Sequence, residues 1–214
     1  MRVNQLVRFT AAILSLLLIA MAFSGCAKEQ STPITDEAYT FPVKPGTDEW
    51  KALGSHDQML AVCEIPENIL TIMSTTALVE TVLNYPLIGD WFAYDNPQTG
   101  LDYSIKQFNG LSELLSRADA GSALLAKYSM VDPAEVASLP ATTEQADFWF
   151  EGMTLELLLS QGRVISGMSS NEIQALISRA RAVYQIKSNY INFYSRFDLD
   201  ITTSLIAKAS QTVQ

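Results

Sequence analysis

The sequence predicts an all-α domain, a compact multi-helix bundle or a stack of short helices, following a signal peptide and a flexible tether. Three observations carry this. Apolar residues recur at helical spacing along most of the chain after residue 47, capping residues open nearly every such run, and no segment alternates as a half-buried strand would. At 48% apolar and 17% charged residues over 214 positions, the chain can close a hydrophobic core. That composition excludes wholesale disorder and a collagen-like or disulfide-framework class.

The first element is a leader. Arg2 and Arg8 precede an uncharged apolar run from Phe9 to Phe23, which is the order of a signal peptide's n-region and h-region. The run is shorter than the roughly 20 residues that a permanent membrane-spanning helix requires. Small residues then precede a cysteine in Phe23-Ser24-Gly25-Cys26.

This junction resembles the lipobox of bacterial lipoproteins, with Phe23 standing where that family usually has Leu. The resemblance implies cleavage before Cys26 and a thioether-linked diacylglycerol on its sulfur, with palmitate among the acyl chains. It places the mature chain on the extracytoplasmic face of the cell membrane, or of the outer membrane in a host that has one. Two or more long acyl chains, at about 0.8 kcal/mol per buried methylene, hold a protein at a bilayer without a transmembrane helix.

Domain boundaries follow from the leader: 1–25 signal peptide, 26–46 tether and 47–214 globular domain. Residues 27–46 are polar and contain Pro33, Pro42 and Pro45, which favours an extended linker. Without residues 1–25 the chain holds 12 basic and 23 acidic side chains, a net charge of -11. Such a field repels nucleic acid and anionic headgroups, so the expected membrane contact is the lipid on Cys26 alone. With Cys26 carrying the lipid, Cys63 is then the only side-chain thiol, and between Val62 and Ile65 it reads as a small buried hydrophobe.

The helices are expected in order. Thr47 caps a first turn containing Asp48 and Glu49, and Pro66 opens a run through Ile69, Leu70 and Met73. Ser74 caps a helix carrying Leu78, Val79, Val82 and Leu83, stopped at Asn84-Tyr85-Pro86. Asn96-Pro97 opens a helix to about Phe108, with a break at Asn109-Gly110 before Leu111, Leu114 and Leu115. Asp119 caps the next piece, with Leu124, Leu125 and Tyr128, and Val131-Asp132-Pro133 turns the chain.

Thr142 with Gln145, and Ser169 with Glu172, have the spacing of capping boxes. The second opens the longest periodic run, from Ile173 to Tyr194. After Phe197 the tail is expected to be a short helix or a frayed end. This gives seven to nine helices. Charge is uneven along them: residues 26–172 hold 7 basic and 21 acidic side chains, residues 173–214 hold 5 and 2. The stretch bearing Arg179, Arg181, Lys187 and Arg196 reads as a solvated helix face, with packing against the acidic remainder as the alternative.

Motifs for chemistry are sparse. His56, the only histidine, lies in a turn-and-cap setting, and no G-x-S-x-G, H-E-x-x-H or C-x-x-C is present. Serine-hydrolase elbows and standard zinc sites therefore have no support, and no cofactor or metal is expected. Asp198-Leu199-Asp200-Ile201-Thr202 spells D-x-D-x-T and resembles the first motif of haloacid-dehalogenase-like phosphotransferases. It lacks that family's preceding strand and following domain, so the match is read as coincidence.

Carboxylate pairs such as Glu151 with Glu156, or Asp90 with Asp95, keep open a carboxylate-dependent envelope hydrolase acting on glycan or peptide. The leading expectation is a lipid-anchored binding or structural module of the bacterial envelope whose partner is an envelope protein or a glycan. Aromatic clusters at Trp91-Phe92-Ala93-Tyr94 and Phe148-Trp149-Phe150 suit either the core or a capture groove. Trp91 and Tyr94 are the candidate exposed pair.

Overall fold

The computed structural model describes residues 34–141 and 143–212. Cys26, the leader and Thr142 of the first expected capping box lie outside them. Among the described residues the regular structure is eleven α-helices and two 3-10 helices, with one isolated β-bridge and no strand. The fold is all-α. No helix among these residues is long and apolar enough to cross a membrane.

The chain is packed earlier than its composition suggests. Thr35 exchanges backbone hydrogen bonds with Ile72 and Ser74 at 2.7 and 2.8 Å, and the Tyr39 N–H donates to Thr81 Oγ1 at 2.9 Å. Phe41 is buried against Tyr85 and Phe108. The expected tether of 26–46 is therefore corrected: its second half belongs to the domain. Two aromatic side chains in a polar, proline-containing segment supply enough apolar surface to hold it.

Short helices come first: α1 (Asp48–Lys51), α2 (His56–Val62) and α3 (Glu67–Leu70), with Thr47 and Ser55 capping the first two. α4 (Thr75–Leu83) is capped by Ser74 and ends before Tyr85-Pro86. A 3-10 helix (Ile88–Phe92) leads to α5 (Pro97–Gln107), with Asn96 as N-cap and Pro97 at the first helical position. Phe108 is extended and separates α5 from α6 (Asn109–Ser116). The Asn109 side chain bonds both the N–H and the carbonyl of Ile65, at 3.1 and 2.7 Å.

Gly100 is buried where α5 crosses the 3-10 helix, and a Cβ there would collide with the Trp91 carbonyl. Only glycine permits that approach.

Asp119 precedes α7 (Ala120–Met130) without capping it. Its carboxylate instead accepts from Thr75 Oγ1 at 2.7 Å, tying α7 to the start of α4. A second 3-10 helix (Pro133–Ala137) precedes α8 (Thr143–Leu159), α9 (Gly162–Ser166) and α10 (Ser170–Asn189). α10 opens with the expected capping box of Ser169 and Glu172. The Ser122 hydroxyl, together with the Ser169 hydroxyl and N–H, holds the Glu172 carboxyl down at about 2.

The tail is the largest departure. It forms α11 (Arg196–Thr212), which runs along α10 and packs on α8, burying Ile201, Leu205 and Ala209. The helices exceed the expected seven to nine because several pieces are only one or two turns long and the tail folds as a full element.

Candidate functional site

The candidate aromatic pair does not form. Trp91 is 0% exposed and belongs to the core, whereas Tyr94 is 42% exposed. Residues three apart share a 3-10 face only while the helix continues, and this one ends at Phe92. Tyr94 stacks instead on Tyr103, 51% exposed, with ring centroids 5.4 Å apart and planes at 15°.

His56 Nε2 lies 2.7 Å from Asp90 Oδ2, an exposed link between α2 and the first 3-10 helix. Asp95 lines a separate groove beside Phe197 and Lys208. Cys63 is a buried free thiol, and burial pushes it up to about 11. It is thus protonated and inert at neutral pH. No cluster of metal-ligating side chains occurs among the described residues.

The other named pair lies on α8, where the two acids have opposite fates. From Met153 to Leu159 every residue is buried, so the helix is enclosed on all sides and Glu156 must be paired there. Lys187 Nζ of α10 donates to both carboxylate oxygens, at 3.0 and 2.9 Å. The Tyr128 hydroxyl donates to Oε1 at 2.9 Å, and the Thr202 hydroxyl to Oε2 at 2.8 Å. Thr202 in turn accepts from Lys187 at 3.1 Å, and the Lys187 ammonium sits over the Tyr194 ring.

Burial and the Glu156 charge push the Tyr128 phenol far above its ordinary range. Burial, then Asp198, does the same to Tyr194. Asp198 holds the entry to α11, accepting from the Ser195 N–H and hydroxyl at 2.9 and 2.6 Å. The adjoining cavity, bordered by Trp149 and Gly152, is about 10 Å³, room for one water at most. This network joins four helices, α7, α8, α10 and α11, and leaves no room for a ligand.

The first half of α8 faces a groove instead. Glu144, Asp147, Phe148 and Glu151 fall on one helical face and line a concavity of about 640 Å³, opposite Tyr85, Pro86 and Ile88 beyond the end of α4. That volume is in the range of small-ligand and side-chain sites. Phe150 also lines the groove and reaches Phe92, centroid to centroid 5.5 Å.

Lys127 bridges Glu80 at 2.9 Å and Glu151 at 3.0 Å. Burial pulls the Lys127 ammonium down, but its bonds to the two carboxylates outweigh that and leave it raised. Among the described residues no ion pair reaches Glu144 or Asp147. The groove near Asn109, about 540 Å³, is lined by Lys106 together with Glu64 and Glu113 and so has mixed charge.

Sequence reasoning passed over both features of α8, although each left a signal. Lys187 continues the stripe Ile173, Leu176, Ala180, Val183, and Glu156 interrupts an apolar run; opposite charges at two core positions point to a buried pair. Compared with known proteins, the chain matches no family model, no curated protein and no solved structure.

Proposed function

We propose that the chain is a lipid-anchored binding module of the bacterial cell envelope, with the groove beside the first half of α8 as its ligand-facing surface. The anchor is the diacylglycerol on Cys26, and the domain stands on the extracytoplasmic side. The observation that carries the binding role is the groove itself. Phe148 shares one face of α8 with Glu144 and Asp147, two carboxylates with no ion pair among the described residues, and Phe150 adds a second ring to the groove. The anchor is supported by the charged n-region, the apolar h-region and the small residues that converge on Cys26.

The chain is already packed at Thr35, so the stretch from Cys26 is short. At roughly 3.3–3.6 Å per residue it keeps the domain within about 30 Å of the membrane. The test is Cys26→Ala in the full chain, followed by labelled-palmitate incorporation and membrane fractionation. Loss of label and release from the lipid fraction are expected. Label that persists in the variant contradicts the anchor.

A further inference from the structure

We infer that the groove beside α8 takes a short peptide segment of a partner protein in which lysine or arginine stands next to an aliphatic or aromatic side chain. The inference rests on the groove being a binding surface and adds the chemistry of its occupant. Its two parts make different demands. Pro86, Ile88, Phe148 and Phe150, all part-exposed, offer apolar and aromatic surface on either side of the concavity, which is stabilised by excluding water against an apolar group.

Glu144 and Asp147 are exposed on the rim. The third acid, Glu151, already has its counter-charge in Lys127, so the other two are what an incoming ligand meets.

Charge complementarity then selects among occupants. A neutral glycan could stack on the rings and donate hydroxyls to the two carboxylates, but it returns no counter-charge and gains nothing from the negative field. Acidic peptides, nucleic acid and anionic headgroups are repelled both locally and by the chain's net charge. A bare polyamine satisfies the acids but leaves the rings in water. A basic side chain beside an apolar one answers both, and its cation also lies within reach of aromatic faces. The wider negative field speeds its arrival.

The test uses the full-length chain in nanodiscs of neutral lipid and the fluorescence anisotropy of a labelled peptide alternating lysine and leucine. Saturable binding is expected. Raising ionic strength from about 0.01 to 0.15 M, which shortens the Debye length from about 30 to about 8 Å, should weaken it. The double variant Glu144→Lys/Asp147→Lys alters only exposed side chains and should weaken binding about tenfold or more. Phe148→Ala should weaken it independently, with circular dichroism confirming the fold.

Three outcomes overturn the inference: equal binding of a glutamate-leucine peptide, complete indifference to Phe148→Ala with full displacement by spermine, or preference for chitotetraose. The last keeps the groove as a binding surface and changes only the occupant. Failure of every probe overturns the binding reading as well, whereas a failed Cys26 test leaves the peptide result standing.

Discussion

The two halves of α8 carry the same kind of residue into opposite surroundings. Glu156 is enclosed and held by Lys187, Tyr128 and Thr202, while Glu144 lies on a solvent-facing rim with no ion pair among the described residues. What separates them is the neighbouring element. α7 and α11 pack on α8, with Lys187 of α10 reaching Glu156, and nothing described covers the groove face of the first half. An acid on a helix is thus a structural or an interacting group according to what its turn packs against.

The largest expected effect lies in the enclosed half. Lys187→Ala or Glu156→Ala leaves the other charge buried without its counter-charge, which costs about 3–5 kcal/mol. Urea denaturation monitored by circular dichroism measures it. The double variant Lys187→Met/Glu156→Leu removes both charges and should recover much of that loss, because apolar replacement of a buried pair is often neutral or stabilising. A double variant no more stable than either single one breaks the comparison at its buried end.

Gly100→Ala comes next. Its added methyl meets the Trp91 backbone, and overpacking of this kind costs about 1–3 kcal/mol. The same titration reads the loss, and an unchanged midpoint would mean that α5 and the 3-10 helix can separate freely. In the open half, Glu144→Lys/Asp147→Lys should change stability by no more than about 0.5 kcal/mol. A larger shift in the urea midpoint would mean that the rim acids serve the fold after all.

Glu172 gives the smallest, pH-resolved effect. Hydrogen bonds from the Ser122 and Ser169 hydroxyls and the Ser169 N–H hold its carboxyl at about 2, below the ordinary 4.5. Its contribution is complete above about pH 4.5 and is lost as the pH falls toward 2. Glu172→Gln should flatten that part of the acid stability profile, and an unaltered slope would remove the capping box as its cause.

The helical class and most helix starts were legible in the sequence because they rest on local chemistry. Ser74, Asn96-Pro97 and the pair Ser169–Glu172 satisfy backbone N–H groups within their own turn. The misses depended on distant partners. α11 has few strong helix-formers in its first half and is stabilised by its long contact with α10 and α8. In the sequence Trp91 reads as an exposed partner of Tyr94, but α5 closes over it at Gly100. Phe41 escaped notice because only Tyr85 and Phe108, far along the chain, give it a place to pack. The acids and rings of the groove were visible as residue types, yet their common face needed α8 and the end of α4 to be placed together.

Amide hydrogen exchange along α8 of the full-length chain, with and without the lysine-leucine peptide, tests the division of this helix most directly. Amides of residues 154–159 should exchange only through global unfolding and ignore the peptide, while those of 145–151 should open locally and slow when it binds. Uniform protection along the helix, or slowing confined to 154–159, would contradict the account.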